Sequence, residues 1–322
     1  MNGENAVGHQ ESPVDEAAGH RNPIGLLVRI VVSVALLAGL LYLLPFRQVV
    51  AAIRQVPPAL WAVGFVVFLL GHVVAALKWR LLIPSSVEVS AGAVVRAHFG
   101  GLAANLFLPG LIGGDVVRAA WLGRSVGGWE GVAVAGLVDR LLDMVALLLL
   151  ASAGVLWLVE PSVVFGRLLL VGLGLVGAAV IIIWIVAARL EGAPAGSRGA
   201  KIAAAVGALR ARPWRAVAAL CLSVAVQTTF VAITARFGLA VGLGVGMEAW
   251  LAAWPLAKIA AIVPVTFAGL GTREAALVAL MRTIGADPGR VAAAALLWTS
   301  VLICGALTGG LLAWAAGRPR SA

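Results

Sequence analysis

Long apolar stretches, set apart by short polar ones, dominate this chain. Six of them are uninterrupted and long enough to form membrane-spanning helices of about twenty residues: roughly 24–45, 59–82, 130–158, 165–189, 214–238 and 289–316. Two more, about 90–122 and 247–286, are equally apolar but are broken in the middle by proline and glycine and then run into charge. The first break reads Asn105-Leu-Phe-Leu-Pro-Gly-Leu-Ile-Gly-Gly-Asp-Val-Val-Arg118, and the second reads Pro264-Val-Thr-Phe-Ala-Gly-Leu-Gly-Thr-Arg-Glu274. Each broken region is expected to be a re-entrant helical hairpin. A break of this kind frees backbone groups at membrane depth, where a polar cargo can meet them.

The fold class expected from this pattern is an all-α polytopic membrane protein of about six transmembrane helices and two re-entrant hairpins. Composition agrees. Apolar residues make up 62% of the 322 and charged residues only 12%, with a mean hydropathy of +1.04, far from the soluble norm. Residues 1–22 form a polar tail, read as disordered and cytoplasmic. The membrane domain occupies 23–318, and no stretch is left for an extramembrane domain.

The net charge of +10 comes from 24 Lys+Arg against 14 Asp+Glu. In a soluble protein it would suggest nucleic acid; here the basic residues sit at the ends of apolar runs, so they set topology and meet anionic headgroups. Arg189, Arg198, Lys201, Arg210, Arg212 and Arg215 follow the fourth run, and Arg318 and Arg320 close the chain. Both termini are therefore expected on the cytoplasmic side of the cell membrane. Tracing the spans from there gives helix, helix, hairpin, helix twice, once starting inside and once starting outside. The two halves form an inverted repeat that brings the two breaks face to face.

Charges inside apolar segments cost at least about 2.5 kcal/mol each on insertion scales, so they face the bundle interior and mark function or mutual pairing. Asp139, Arg140 and Asp143 share neighbouring parts of one helical face by their three- and four-residue spacing, and are read as a structural charge cluster. A cargo site is read at the breaks, from Asn105, Gly113, Gly114, Asp115 and Arg118 in the first half and Lys258, Gly269, Gly271, Arg273 and Glu274 in the second. Glycine lets a ligand approach the backbone, a helix N-terminus attracts an anion, and arginine adds a bidentate fork for phosphate. The plain alternative is that Asp115, Asp143 and Glu274 simply neutralise Arg118, Arg140 and Arg273.

Gly305 and Gly309 form a GxxxG that suggests close helix packing. Several of the eleven Trp lie near span ends, as at Trp61, Trp79, Trp129, Trp214 and Trp314, and are expected in an interfacial belt. Cys221 and Cys304 suggest neither a disulfide framework nor a thiolate site. The four histidines have no metal spacing, and no nucleophile sits beside a base. No metal, cofactor or enzymatic activity is expected.

The paired motifs, with Asp139-Arg140-Leu-Leu-Asp143 between them, resemble the transmembrane domain of lysylphosphatidylglycerol synthase, a family also described as flippase-like. The likeness covers about 24–316. It departs in Asp139, where Glu is as frequent, and in Ala268 before Gly269, where a second glycine is common. The resemblance implies a module that moves a lipid product across the bilayer; in bifunctional members a soluble domain makes that product. As this chain ends soon after its last span, the translocating module without the synthase is expected. The implied partners are a membrane phospholipid or lipid-linked substrate, such as an anionic or zwitterionic phospholipid or a polyprenyl phosphate, and a lipid-modifying enzyme. Two rivals fit the same pattern, a small-anion transporter or channel and a non-transporting membrane partner of a lipid synthase or glycosyltransferase.

Overall fold

In a computed structural model the described residues are 46–108, 113–126, 129–158, 163–190, 192–262 and 270–316, and among them every regular element is an α-helix. The polar tail, the expected span over 24–45, and Pro109, Gly110, Pro264 and Gly269 of the breaks lie outside the described residues. A short amphipathic helix, α1 (Phe46–Arg54), precedes α2 (Pro58–Leu82), whose opening proline loses no intrahelical bond at the first turn. The hairpin helices α3 (Ala91–Asn105) and α4 (Gly113–Val126) follow, then the long α5 (Trp129–Trp157). Ser90 caps α3 by accepting a hydrogen bond from the Ala93 amide at 3.2 Å.

The chain continues through α6 (Val163–Leu190) to the short α7 (Arg198–Arg210), and then to α8 (Pro213–Ala240). It closes with α9 (Met247–Ala260), α10 (Thr272–Arg282) and α11 (Pro288–Ala316). By length and composition α2, the stretch Val163–Ile182 of α6, α8 and α11 can cross a membrane, so four of the six expected spans meet that test among the described residues. Of the two others, one lies outside the described residues. The other is α5, whose 29 residues reach about 44 Å, but whose centre carries Asp139, Arg140 and Asp143. The hairpin helices α3, α4, α9 and α10 have 15, 14, 14 and 11 residues. At 1.5 Å per residue they reach only about 16 to 23 Å, short of a hydrocarbon core of about 30 Å.

The order long, short, short, long therefore occurs twice, as α2 to α5 and as α8 to α11. Packing is exchanged between the two sets: α5 lies against α9, α11 lies against α3, and α2 lies against α8. Glycine makes these contacts close. A Cβ on Gly154 of α5 would stand 2.6 Å from the Leu251 carbonyl carbon of α9. Gly305 and Gly309 of α11 do mark close packing, but what enters is aromatic: added Cβ atoms would lie 2.5 Å from Phe68 Cε1 and 2.6 Å from Phe99 Cε1. The main core is built from α8, α9 and α11 with Trp250, Trp254, Trp298, Phe230 and Phe237. A second core forms around Trp79, with Val94, Leu122, Val132 and Ala135. Trp129, Trp214 and Trp314 are exposed, as a belt requires, whereas Trp79 is fully buried, because it faces the second core between α3, α4 and α5.

Candidate functional site

The helices α3 and α4 meet where two glycines let backbones touch. A Cβ on Gly101 would lie 2.5 Å from the Gly114 carbonyl oxygen, so α3 and α4 cross here only because neither carries one. Asn105, the last residue of α3, accepts the Gly114 amide on Oδ1 at 2.6 Å, which satisfies one of the free N–H groups at the start of α4. Gly113 sits against Leu108 at the tip. Asp115, the next residue, and Arg118, one turn further on, point from α4 toward α5.

There they join a buried ionic network. Asp139 is 2% exposed and is shared by two cations: its Oδ1 lies 3.0 Å from Lys78 Nζ and its Oδ2 accepts from Arg118 Nη2 at 3.0 Å. Lys78 also pairs with Asp143 and donates to Ser223 Oγ at 2.8 Å, and that hydroxyl donates to Asp143 at 2.8 Å. Asp115 lies 3.0 Å from Arg118 Nε and also accepts from Arg140 Nε. The Arg118 guanidinium stacks over the Trp79 ring, 4.5 Å from its centroid. Charges this deep are tolerated because each carboxylate meets at least one cation.

Two histidines extend the network. Arg118 Nη1 and His98 Nδ1 are 3.2 Å apart, and His98 Nε2 and His72 Nδ1 are 3.1 Å apart. Arginine only donates, so His98 accepts on Nδ1 and carries its proton on Nε2, which donates to His72 Nδ1. The donor order is thus fixed from Arg118 through His98 to His72, against the rings of Phe68 and Phe230.

From the second half Lys258, in the last turn of α9, reaches the same place. Its Nζ donates to Gln227 Oε1 at 2.9 Å and lies 5.2 Å from the Trp254 ring centroid. Among the described residues no carboxylate lies within ion-pair distance of it. The charged groups of the network, both histidines, Gln227 and Lys258 border one cavity of about 80 Å³, space for several water molecules. Its lining holds four cations, Lys78, Arg118, Arg140 and Lys258, against three carboxylates, Asp115, Asp139 and Asp143, one positive charge in excess.

The structure thus brings together Asn105, Gly114, Asp115, Arg118, Lys258 and the Asp139, Arg140, Asp143 cluster. It sets Gly271, Arg273 and Glu274 apart. Glu274 Oε2 accepts the Gly271 amide at 2.7 Å, and Gly271 holds a positive φ of 84° as the N-cap of α10. Glu274 Oε1 accepts from Arg273 Nη2 at 2.6 Å and from the Thr299 hydroxyl at 2.6 Å. This smaller cluster closes on itself between α10 and α11. Gly269 lies outside the described residues.

Sequence reasoning missed His72, Lys78, His98, Ser223 and Gln227. Ser223 and Gln227 did leave a signal, being polar residues four apart in an apolar span and hence on one face of α8. Lys78 resembles an end-of-span charge because its helix stops at Leu82; it is 1% exposed. The histidine contact joins two elements and leaves no trace in spacing.

Helices of this length and apolarity around a buried ionic network define a polytopic α-helical membrane protein. A family model described as lysylphosphatidylglycerol synthase TM region matches residues 26–310, and the chain belongs to that family. No curated protein matches the sequence.

Proposed function

We propose that this protein moves a lipid with an anionic headgroup phosphate, or a zwitterionic one, between leaflets, and that the cavity between the hairpins is where the headgroup passes. The observation that carries this is the unmatched positive charge. Lys258 is held by a neutral carboxamide and an aromatic face, so a phosphate oxygen entering the cavity gains an ammonium that no carboxylate occupies. Arg140, whose side chain is 37% exposed and whose Nε is bound to Asp115, borders the same cavity. Arg118, which lines the cavity, would join the phosphate by exchanging a carboxylate for it.

The path follows from the hairpins. On this reading α3 with α4, and α9 with α10, enter from opposite faces, and their tips meet at mid-depth between six full spans. Three things support it: the four helices are too short to cross, the long, short, short, long order recurs, and in the sequence Lys and Arg cluster in the linker after the fourth apolar run. Acyl chains stay in the bilayer while the headgroup crosses. The protein acts as a transporter and not an enzyme, serving a lipid-modifying partner.

In vesicles of reconstituted protein, Lys258→Gln should slow the movement of labelled phosphatidylglycerol by about tenfold, the scale of one charge-assisted contact, while Lys258→Arg keeps most of it. A folded Lys258→Gln protein as fast as wild type would remove the cavity from the path. A second reading draws on the cavity's small size, which suits a small inorganic anion. A Lys258-dependent phosphate efflux with unaltered lipid movement would establish it instead.

A further inference from the structure

A second recess lies away from the charged cavity, at the end of the bundle where α2 finishes and α8 begins. It is a groove of about 800 Å³, open on one side, walled by Leu77, Leu81 and Leu222 and bordered by Arg80, Arg215 and Trp214. Its two arginines are arranged unlike surface arginines in general. Arg215 buries its Nε with no hydrogen-bond partner among the described residues, while its guanidinium lies 5.7 Å from the Trp214 ring centroid. A buried donor left unpaired costs about 1–3 kcal/mol, so this arrangement suits an acceptor that comes from outside the chain.

Arg80 donates from Nε to the Val89 carbonyl at 3.0 Å. That bond fixes the plane of the fork and leaves both Nη groups without a partner among the described residues. The Ser90 hydroxyl, which accepts the Ala93 amide, still has its own proton to give. Glu88 is exposed on the same rim, so two arginines face one carboxylate and the groove remains cationic.

We propose that this groove is a separate binding site for an anionic phospholipid of the adjoining leaflet. Arg80 and Arg215 would take the phosphodiester, and Leu77, Leu81 and Leu222 the first methylenes of the chains. The apolar wall selects a lipid over free phosphate. Leu77 and Trp214 are 39% and 60% exposed, so the wall runs on into the outer surface of the helices, where acyl chains lie. A tryptophan beside a phosphate-binding arginine is also what the headgroup level of a membrane favours. This site does not depend on the translocation reading, since none of its residues borders the charged cavity.

Native mass spectrometry of the full chain, titrated with phosphatidylglycerol and with phosphatidylcholine, tests it. The double variant Arg80→Gln/Arg215→Gln should weaken one phosphatidylglycerol binding event by about tenfold and leave phosphatidylcholine binding unchanged. Lys258→Gln should retain that event. Millimolar inorganic phosphate should not displace the lipid. Should the double variant lose its fold, a phosphatidylglycerol with a photoreactive group near the phosphate, applied to wild type, should label residues 77–90 and 214–222. The proposal fails if the folded double variant binds phosphatidylglycerol as wild type does, if inorganic phosphate competes as well as the lipid, or if the photoproducts lie elsewhere.

Discussion

Asp139 links two buried cations from two different helices, Lys78 of α2 and Arg118 of α4. Asp139→Asn would leave Lys78 to Asp143 alone and Arg118 to Asp115 alone, at membrane depth. Removing one partner of a buried ionic network costs about 3–5 kcal/mol, so the variant should lose most of its folded fraction on heating in detergent. Adding Lys78→Met should restore part of the loss, since the surplus cation is then gone. A double variant whose loss equals the sum of the two single losses would show that the pair is not coupled. The cluster was legible in the sequence as residue types at depth; its wiring was not. Three-residue spacing suggests Arg140 with Asp143; it gives no hint that Arg140 Nε also bonds to Asp115 of α4 or that Asp143 accepts from Lys78 of α2. Helical spacing reports which side chains can meet on one helix, and these carboxylates and cations meet across three.

Among the elements, the first hairpin depends on two glycines with no room for a methyl group. Gly101→Ala or Gly114→Ala drives a Cβ into the opposing carbonyl oxygen and should part α3 from α4 at the tip, displacing Asn105 and Asp115. Overpacking of this kind costs about 1–3 kcal/mol. Gly92→Ala, also in α3, meets nothing within 4 Å and should gain a few tenths of a kcal/mol or more from better helix propensity. Circular dichroism melts of the three variants decide this, and equal effects would mean that the tip is not tightly crossed. Both breaks were legible in the sequence as proline and glycine within apolar runs. What could not be read was the difference between them. Arg118 reaches the shared cavity, whereas Arg273 is turned to Glu274 and Thr299. Arg118 meets a carboxylate on its long helix, and Arg273 meets a hydroxyl there.

For the molecule as a whole, Ser85 lies between α2 and α3, Asp287 lies between α10 and α11, and both are exposed. In a background lacking Cys221 and Cys304, Ser85→Cys and Asp287→Cys should react with an impermeant maleimide from opposite faces of the membrane. Labelling from the same face would defeat the opposed hairpins. The exchanged packing also governs how such a protein can be made. Each half leaves its hairpin resting on the long helix of the other, so neither half is a folding unit. A ribosome delivers α3 and the charged α5 to the membrane well before α9 and α11 exist to receive them. During that interval the ionic network must be held by Lys78, Asp115, Arg118, Asp139, Arg140 and Asp143, without Ser223 and Lys258. Those are the contacts internal to the first half, and in effect they serve as its own scaffold during synthesis.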